Sequence, residues 1–284
     1  MADVAIAPAP TARPPRRPDS AKAAPALRIV AVLYVGILVL VPLALIAYRT
    51  FQPGLGEFFG ALSEPDAVHA FQVTAVVAGT AVVIDVVFGV AVAILLARYR
   101  FPGRRLLSAF IDLPVAVSPI VVGLALVLVY GPTGWFGGSL DGSPLQVINA
   151  KPGMVLATVF VSLPLVVRAV VPVLEQAGME QEQAAASLGA NAVQRFVRIT
   201  LPTIRIALAY GVVLSLARCI GEYGAVLVVS GNIAGVTETA PLRVGNLVQQ
   251  SLDTKSAYAI TFVLMLISVV AILLGAFIRR RKRI

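Results

Sequence analysis

Six long apolar runs, separated by shorter polar segments, dominate the pattern of the chain. The hydrocarbon core of a bilayer is about 30 Å thick and is crossed by a helix of about 20 apolar residues. Backbone groups in hydrocarbon must bond within their own segment, so each run is expected to be a helix. The runs are too long and too uniformly apolar for the alternating strands of a membrane barrel. The predicted spans are Ile29–Tyr48, Phe71–Leu96, Leu106–Tyr130, Gly153–Leu174, Ala207–Ser230 and Ser256–Ile278.

Composition agrees with lipid as the solvent of this chain. Of its 284 residues, 58% are hydrophobic and only 13% are charged, whereas a soluble domain carries about 25% charged residues. The sequence therefore predicts an all-α integral membrane protein with six transmembrane helices.

The distribution of Lys and Arg predicts that both termini are cytoplasmic. In that orientation 17 basic residues lie inside, four lie outside, and Arg168 and Arg218 lie within spans. Such an excess on one side sets orientation by the positive-inside rule. It also explains the net charge of +9. Because the charges lie at span ends rather than on a soluble face, the pattern disfavours nucleic-acid binding, the alternative for a basic chain. The inside set is Arg13, Arg16, Arg17, Lys22, Arg28, Arg98, Arg100, Arg104, Arg105, Arg195, Arg198, Arg205, Arg279, Arg280, Arg281, Lys282 and Arg283; the outside set is Arg49, Lys151, Arg243 and Lys255.

These patterns divide the chain into three parts. Residues 1–28 are rich in Pro, Ala and Arg and are predicted to form a disordered cytoplasmic arm that is attracted to anionic lipid. Residues 29–278 form the transmembrane domain, and residues 279–284 a basic cytoplasmic tail.

Enzyme and metal chemistry have no candidates in this sequence. His69 is the only His and Cys219 the only Cys, so neither a metal site of ordinary ligands nor a catalytic set with His is expected. The G-x-x-x-x-G-K-[ST] loop that cradles nucleotide phosphates is absent. We therefore expect no cofactor, and any energy from ATP must come from another subunit.

Proline and polar residues interrupt the third and fourth spans. Asp112, Pro114, Ser118, Pro119 and Gly123 lie in the third span, and Arg168 lies between two prolines in the fourth. Proline removes a helical hydrogen bond and clashes with the preceding turn. Broken helices in membranes persist where the freed carbonyls find neighbours or face a cavity. Two interpretations follow: kinked packing helices, or a pathway lined by partly unwound helices, with Ser118 as a candidate.

The fifth span is the most polar. Arg218 and Glu222 are four residues apart, which places them on one helix face; they either form a structural pair or line the substrate route. Gly221 and Gly224 beside them would allow another helix to approach closely. Asp85, in the second span, has no charged neighbour in sequence, so it is protonated, paired across helices or lines the pathway.

One cytoplasmic segment, QEQAAASLGANAVQRFVRITLP from Gln181 to Pro202, departs from the apolar pattern. Its alanines and Leu188 favour a short helix, with Glu180 and Glu182 in the first turn, where they suit the helix dipole. Gly189 is able to take a positive φ and end that helix. The 26 residues from Glu175 to Thr200 exceed the length that a turn requires. The segment is either a docking element for a partner or an ordinary connection.

The spacing A-A-x-x-x-G-x9-I-x-L-P in this segment resembles the EAA loop of membrane subunits of bacterial ABC importers. In that family the loop forms a coupling helix that fits a groove on the ATPase subunit. The Glu that opens the family motif is Gln183 here, with Glu182 beside it. The resemblance implies that the coupling residues are Glu182, Gln183, Ala184, Ala185, Leu188, Gly189, Ile199, Leu201 and Pro202, in a loop over residues 175–202.

The segments IDLPVAVSPIVVGL, VSLPLVVRAVVPVL, ARCIGEYGAVLVVSGNIAG and TETAPLRV resemble the sulfate/thiosulfate permease branch, most closely its second (W-type) permease. Molybdate permeases share the GEYGA and TETAPL-like segments and are the alternative. The resemblance implies the type I permease fold in a bacterial cytoplasmic membrane. The implied partners are an ATP-binding subunit dimer, a sister permease and an extracytoplasmic sulfate-binding protein.

Two other classes of protein remain possible from the residues alone: a secondary transporter or channel that works without ATP, and an intramembrane enzyme. The cytoplasmic docking segment favours the importer, because an autonomous carrier does not require it. The enzyme lacks a catalytic set. In the importer, the pathway candidates are Asp85, Ser118, Arg218 and Glu222.

Overall fold

The computed structural model describes residues 23–137, 142–143 and 146–280, and these ranges contain helices and no strand. Of the predicted disordered arm, residues 1–22 lie outside the described ranges, whereas residues 23–28 are helical. The last four residues of the basic tail also lie outside. The chain forms two compact units, Met1–Leu45 and Ile46–Ile284. In the first, the described residues belong to one apolar helix, Ala23–Phe51, whose last residues belong to the second unit; the second unit contains all the other helices.

The helices are numbered here in chain order. They are α1 (Ala23–Phe51), α2 (Leu55–Ser63), α3 (Pro65–Arg98), α4 (Arg104–Ala116), α5 (Pro119–Tyr130), α6 (Lys151–Ala177), α7 (Glu180–Ser187), α8 (Ala192–Ile220, with a π-helical turn at Phe196–Thr200), α9 (Gly224–Val229), α10 (Ala240–Asn246, followed by a π-helical turn at Leu247–Ser251) and α11 (Thr254–Arg280).

The helices reproduce the predicted six-span arrangement with changes at two spans. By length and composition α1, α3, α6, α8 and α11 are each able to cross a membrane, and α4 with α5 gives a sixth crossing when the bent pair counts as one span. Contacts join helix ends that the topology predicts on one side. Thr50 bonds to the carbonyl of Tyr258 at 3.1 Å, and the amide of Asn149 bonds to the carbonyl of Val229 at 2.8 Å.

The third span is not the continuous helix that its apolar run suggests. α4 and α5 meet at an angle of 111°. Val117 and Ser118 between them are extended, because a residue before proline is pushed out of the helical region and Pro119 cannot donate a hydrogen bond. The prolines inside α6, in contrast, leave that helix continuous over 27 residues.

The predicted bounds of the fifth span, Ala207–Ser230, are wrong at both ends. α8 begins fifteen residues earlier because Asn191 caps it: the amide of Gln194 donates to the Asn191 side chain at 2.8 Å, and the Gln194 side chain accepts from the Asn191 amide at 3.0 Å. Ile199, Leu201 and Pro202 therefore belong to the spanning helix and not to a loop. At the other end α8 stops at Ile220, and Gly224–Val229 is a separate helix.

The core lies between α3, α6 and α8. One buried cluster, which includes Val73, Met154 and Val226, fills the predicted outer half. Another, which includes Val170, Leu174 and Ile204, fills the predicted inner half. Gly211 lets α8 approach α6, since a Cβ there would lie 3.1–3.2 Å from α6 atoms. The three helices thus form the frame on which the polar residues are placed.

The predicted close approach at two glycines of the fifth span holds for one of them. A Cβ on Gly224 would lie 3.2 Å from side-chain atoms of Pro119 and Ile120, so α9 packs closely on the start of α5. Gly221 has only its own preceding turn within 4 Å in the part of the chain that the structure describes.

Candidate functional site

The short helix α7 is built by local signals. Its first turn carries Glu180 and Glu182, which suit the positive end of the helix dipole. Gly189 takes φ +88° directly after it. The amides of Gly189 and Ala190 donate to the carbonyls of Ala186 and Ala185 at 3.0 and 2.9 Å, the two bonds of a Schellman motif. The prediction of a short helix that ends at Gly189 is confirmed.

Glu182 connects α7 to three spanning helices, directly to α8 through Thr200 and to α3 and α6 through Arg98, the last residue of α3. The Arg98 guanidinium lies 3.0 Å from the Glu182 carboxylate, which also accepts from the Thr200 hydroxyl at 2.9 Å. Arg98 also donates to the backbone carbonyls of Leu174, at 3.0 Å, and of Gly178. Only 7% of the Arg98 side chain and 15% of the Glu182 side chain are exposed. These bonds, which we call the Arg98 clamp, tie α7 to the ends of α3 and α6 and to the start of α8.

The opposite side of α7 carries exposed apolar and small side chains. Leu188 is 89% exposed and Val193, just beyond, is 70% exposed. Gln183 and Ala184 are also exposed, whereas Ala185 is half-buried. An exposed leucine and valine beside a helix anchored by buried polar contacts form a surface suited to contact with another protein.

Asp85 has partners on two other helices. It is fully buried, and one carboxylate oxygen accepts from the hydroxyls of Ser162 at 2.5 Å and Ser215 at 2.6 Å. Ser215 in turn lies 3.8 Å from the Cys219 sulfur. This arrangement joins α3, α6 and α8. The partners that the structure supplies on other helices are neutral hydroxyls, and the second carboxylate oxygen has no hydrogen-bond partner among the described residues.

Arg218 and Glu222 form the expected pair, although α8 ends between them. Their charged atoms lie 2.5 Å apart; the Glu222 side chain is 1% exposed and that of Arg218 37%. Glu222 also accepts from the amide of Ala225 at 2.9 Å and so anchors the start of α9. The pair therefore supports the break between the two helices, with Arg218 at the surface of the chain.

Ser118 and a second intramembrane ion pair lie around the α4–α5 bend. Ser118 is exposed at the start of α5. Arg168 of α6 bonds to both carboxylate oxygens of Asp112 on α4, with its side chain 52% and that of Asp112 43% exposed. Sequence reasoning placed both charges within spans and did not pair them. Their opposite signs in consecutive spans are the signal that would have done so.

A further network, also missed by sequence reasoning, lies at the predicted outer side. Arg243 of α10 contacts Glu64 at 3.2 Å, Asp66 at 3.3 Å and the buried Glu238 at 3.7 Å. Glu238 also accepts from the side chain of Asn246 at 2.6 Å. These bonds fasten the TETAPLRV segment to the start of α3.

Comparisons with known proteins match this chain to a family of membrane transport components. Residues 86–284 match the model of the family described as "Binding-protein-dependent transport system inner membrane component". The sulfate transport system permease protein CysW of Synechococcus elongatus is 44% identical over 89% of this chain and 88% of its own length. CysW of Escherichia coli K12 is also 44% identical, over 86% of this chain and 84% of its own. CysT of Salmonella typhimurium, the other sulfate permease, is 39% identical over 82% and 84%.

The fold is shared with more distant solved structures. A bacterial ABC transporter involved in import of the acidic polysaccharide alginate contains a chain that superposes with a TM-score of 0.73 at 16% identity, covering 92% of this chain and 95% of that one. The chain described here therefore belongs to the family of inner membrane components of binding-protein-dependent transport systems, the permease subunits of ABC importers.

Proposed function

We propose that this chain is one of two permease subunits of an ATP-driven importer for sulfate, and for thiosulfate as well, in a bacterial cytoplasmic membrane. The observation that carries the proposal is the Arg98 clamp, which holds an exposed helix rigidly against three spanning helices. A helix fixed in this way transmits a displacement of its partner to the spans. An autonomous carrier has no use for such a device.

The partner of α7 in this proposal is the ATP-hydrolysing subunit, present as a dimer. Leu188, Gly189 and Ala184 provide the surface that enters its groove, with Gln183 at the same exposed side. Glu182 has a different task, because its carboxylate is engaged with Arg98 and Thr200. It holds the docking helix in place while its neighbours contact the ATPase. Ile199, Leu201 and Pro202 act from within α8, where they connect the docked surface to the span.

The translocation pathway in this proposal forms between this chain and a sister permease. Charged side chains are costly in contact with lipid, yet the Arg218 side chain is 37% exposed at the break beyond α8. A water-filled pathway or a second permease would remove that cost. Ser118, exposed at the α4–α5 bend, offers a hydroxyl on the same kind of broken helix. Asp85 supports the frame of the pathway through Ser162 and Ser215.

The substrate assignment rests on the relatives, which are named sulfate permeases at 39–44% identity. A hydrated dianion cannot cross lipid and needs polar donors along its route. A soluble binding protein outside the membrane would deliver the ion. One solved relative of the fold is in complex with a periplasmic protein bound to its oligosaccharide.

Two measurements test the proposal. Purification of the tagged chain in mild detergent should retain an ATPase subunit and a second permease, and cells that lack the chain should lose uptake of labelled sulfate. Isolation of the chain without an ATPase would contradict the importer assignment. Normal sulfate uptake with lost molybdate uptake would keep the importer and replace its substrate.

A further inference from the structure

A basic cavity lies at the predicted cytoplasmic ends of α3, α4 and α6. It has a volume of about 560 Å³, and its polar lining includes Arg100, Arg104, Arg105, Ser108, Arg168 and Glu175. Lys and Arg at the inner end of spans are common as orientation signals. Arginines with that role need only reach the headgroups, whereas the four arginines of this lining come from three segments and border one cleft that is open on one side.

The charges around the cavity do not balance. Arg104 is paired with Glu175 at 2.9 Å, and Arg168 is paired with Asp112. The side chains of Arg100 and Arg105 have no hydrogen bond or ion pair among the described residues. Two positive charges therefore remain without a protein counter-charge, and they attract an anion into the space between them.

The depth of the cavity separates it from an ordinary headgroup contact. Arg168 lies nine residues before the end of α6, which corresponds to about 13 Å along the helix axis at 1.5 Å per residue. Its guanidinium also lies 3.4 Å from the Ser108 hydroxyl. The polar lining thus continues from the loop at Arg100 inward to the middle of α4, as a route for an ion requires.

We propose that this cavity binds a free tetrahedral divalent oxyanion and is the last station of the transported ion before the cytoplasm. The planar guanidinium fork matches the oxygens of such an ion. The proposal rests on the proposed function for the identity of the ion. The cavity also borders the Arg98 clamp, since Arg100 follows Arg98 by two residues and Glu175 lies next to Leu174. Release of the ion and movement of α7 therefore involve the same two helix ends.

The test is direct binding of radiolabelled sulfate to the purified complex of both permeases and the ATPase. ATP and the soluble binding protein are omitted, since the latter would itself hold the label. Arg100→Gln and Arg105→Gln should each weaken binding about tenfold, the worth of one charge-assisted hydrogen bond. The matched control is Arg279→Gln, which removes one positive charge from the cytoplasmic end of α11, where Arg279 lies over the Tyr210 ring.

Import into proteoliposomes, with ATP and the binding protein present, gives a second readout. The Arg105→Gln complex should show a lower maximal rate with an unchanged KM for external sulfate, because the binding protein sets that affinity. Both cavity arginines are exposed loop or helix-start residues, so the variants should assemble normally, which retention of the ATPase would verify.

Several outcomes would overturn the inference. In the first, the wild-type complex binds no sulfate; in the second, the cavity and control variants bind it equally. A third such outcome is that the cavity variants differ from wild type only in the amount of phosphatidylglycerol they retain, which would make a lipid phosphate the occupant. Import of sulfate by the wild-type complex would leave the proposed function standing in each case. If the wild type imports molybdate instead, labelled molybdate replaces sulfate as the probe, and the cavity is tested independently of the substrate assignment.

Discussion

Glu182→Ala is the substitution that tests the mechanical role of the Arg98 clamp most directly. It removes the carboxylate that receives both the Arg98 guanidinium and the Thr200 hydroxyl. The apolar surface around Leu188 is left unchanged. The substitution should therefore loosen α7 without altering the exposed residues that we propose contact the ATPase.

The expected magnitude follows from burial. Removal of one member of a buried ion pair costs about 3–5 kcal/mol. Here the Arg98 side chain is 7% exposed and keeps its bonds to the carbonyls of Leu174 and Gly178. We therefore expect about 2–3 kcal/mol for local opening of α7, which raises the open population roughly 30- to 150-fold at a factor of ten per 1.4 kcal/mol.

Hydrogen exchange of the purified complex measures that opening. Amides of residues 180–190 should exchange faster in Glu182→Ala, while those of the α6 core should not change. The matched control is Glu180→Ala, which removes the same charge from the same helical turn at an exposed position. The ATPase should stay bound or partly bound, but sulfate import per ATP hydrolysed should fall, because a loosened helix transmits less displacement.

Equal exchange over residues 180–190 in wild type, Glu180→Ala and Glu182→Ala would refute the clamp. Faster exchange with an unchanged ratio of import to ATP hydrolysis would keep the clamp as a structural contact and remove its part in coupling.

Three further predictions concern other described residues. Gly189→Asp forces a side chain into φ +88°, at a cost of about 1–2 kcal/mol, and adds charge to the proposed docking surface. Membrane insertion should be normal, but a pull-down should show loss of the ATPase or an uptake assay should show loss of transport. The uncharged variant Gly189→Asn should have a milder effect. Arg218→Ala leaves Glu222 buried without its partner, so the complex should lose about 3 kcal/mol of stability and unfold at a lower temperature in detergent. A second change, Glu222→Gln, should restore part of that stability. Equal melting temperatures of the single and double variants would contradict the pairing. Hydrogen bonds from Ser256 hold the pKa of Asp253 below its ordinary value of 3.8. The stability that the Asp253 carboxylate contributes is therefore present above that pH and is lost as the pH falls below it. Asp253→Asn should flatten the decrease in melting temperature at acid pH, and an unchanged decrease would contradict this contribution.

Local signals in the sequence were sufficient for the number of candidate spans and for the short helix α7. An apolar run of span length must be a helix in lipid, whatever its neighbours are. The end of α7 at Gly189 depends on a single residue that tolerates positive φ. The resemblance to importer permeases was also confirmed, because the motif that carries it lies in one continuous segment.

The same local reasoning failed where helix boundaries depend on capping or on neighbours. Arg195, Arg198 and Arg205 lower the hydropathy of the first turns of α8, so the span appeared to begin at Ala207. The capping box at Asn191 and the π-helical turn before Pro202 decide otherwise. In the third span the prolines indicated a break, but its 111° angle and the packing of α9 on the start of α5 appear only in the folded chain.

The Arg218–Glu222 pair follows from its spacing in the sequence, but only the tertiary structure decided which distant polar residues meet. Asp85 finds Ser162 and Ser215, which lie 77 and 130 residues away in sequence. Arg98 finds Glu182 across 84 residues. Hydropathy and motif spacing describe each helix by itself, whereas a buried charge takes whichever partner the packing brings within about 3 Å. The sequence by itself thus determined the number of candidate spans and the position of the short helix α7, while the packing of α3, α6 and α8 decided how that helix is held.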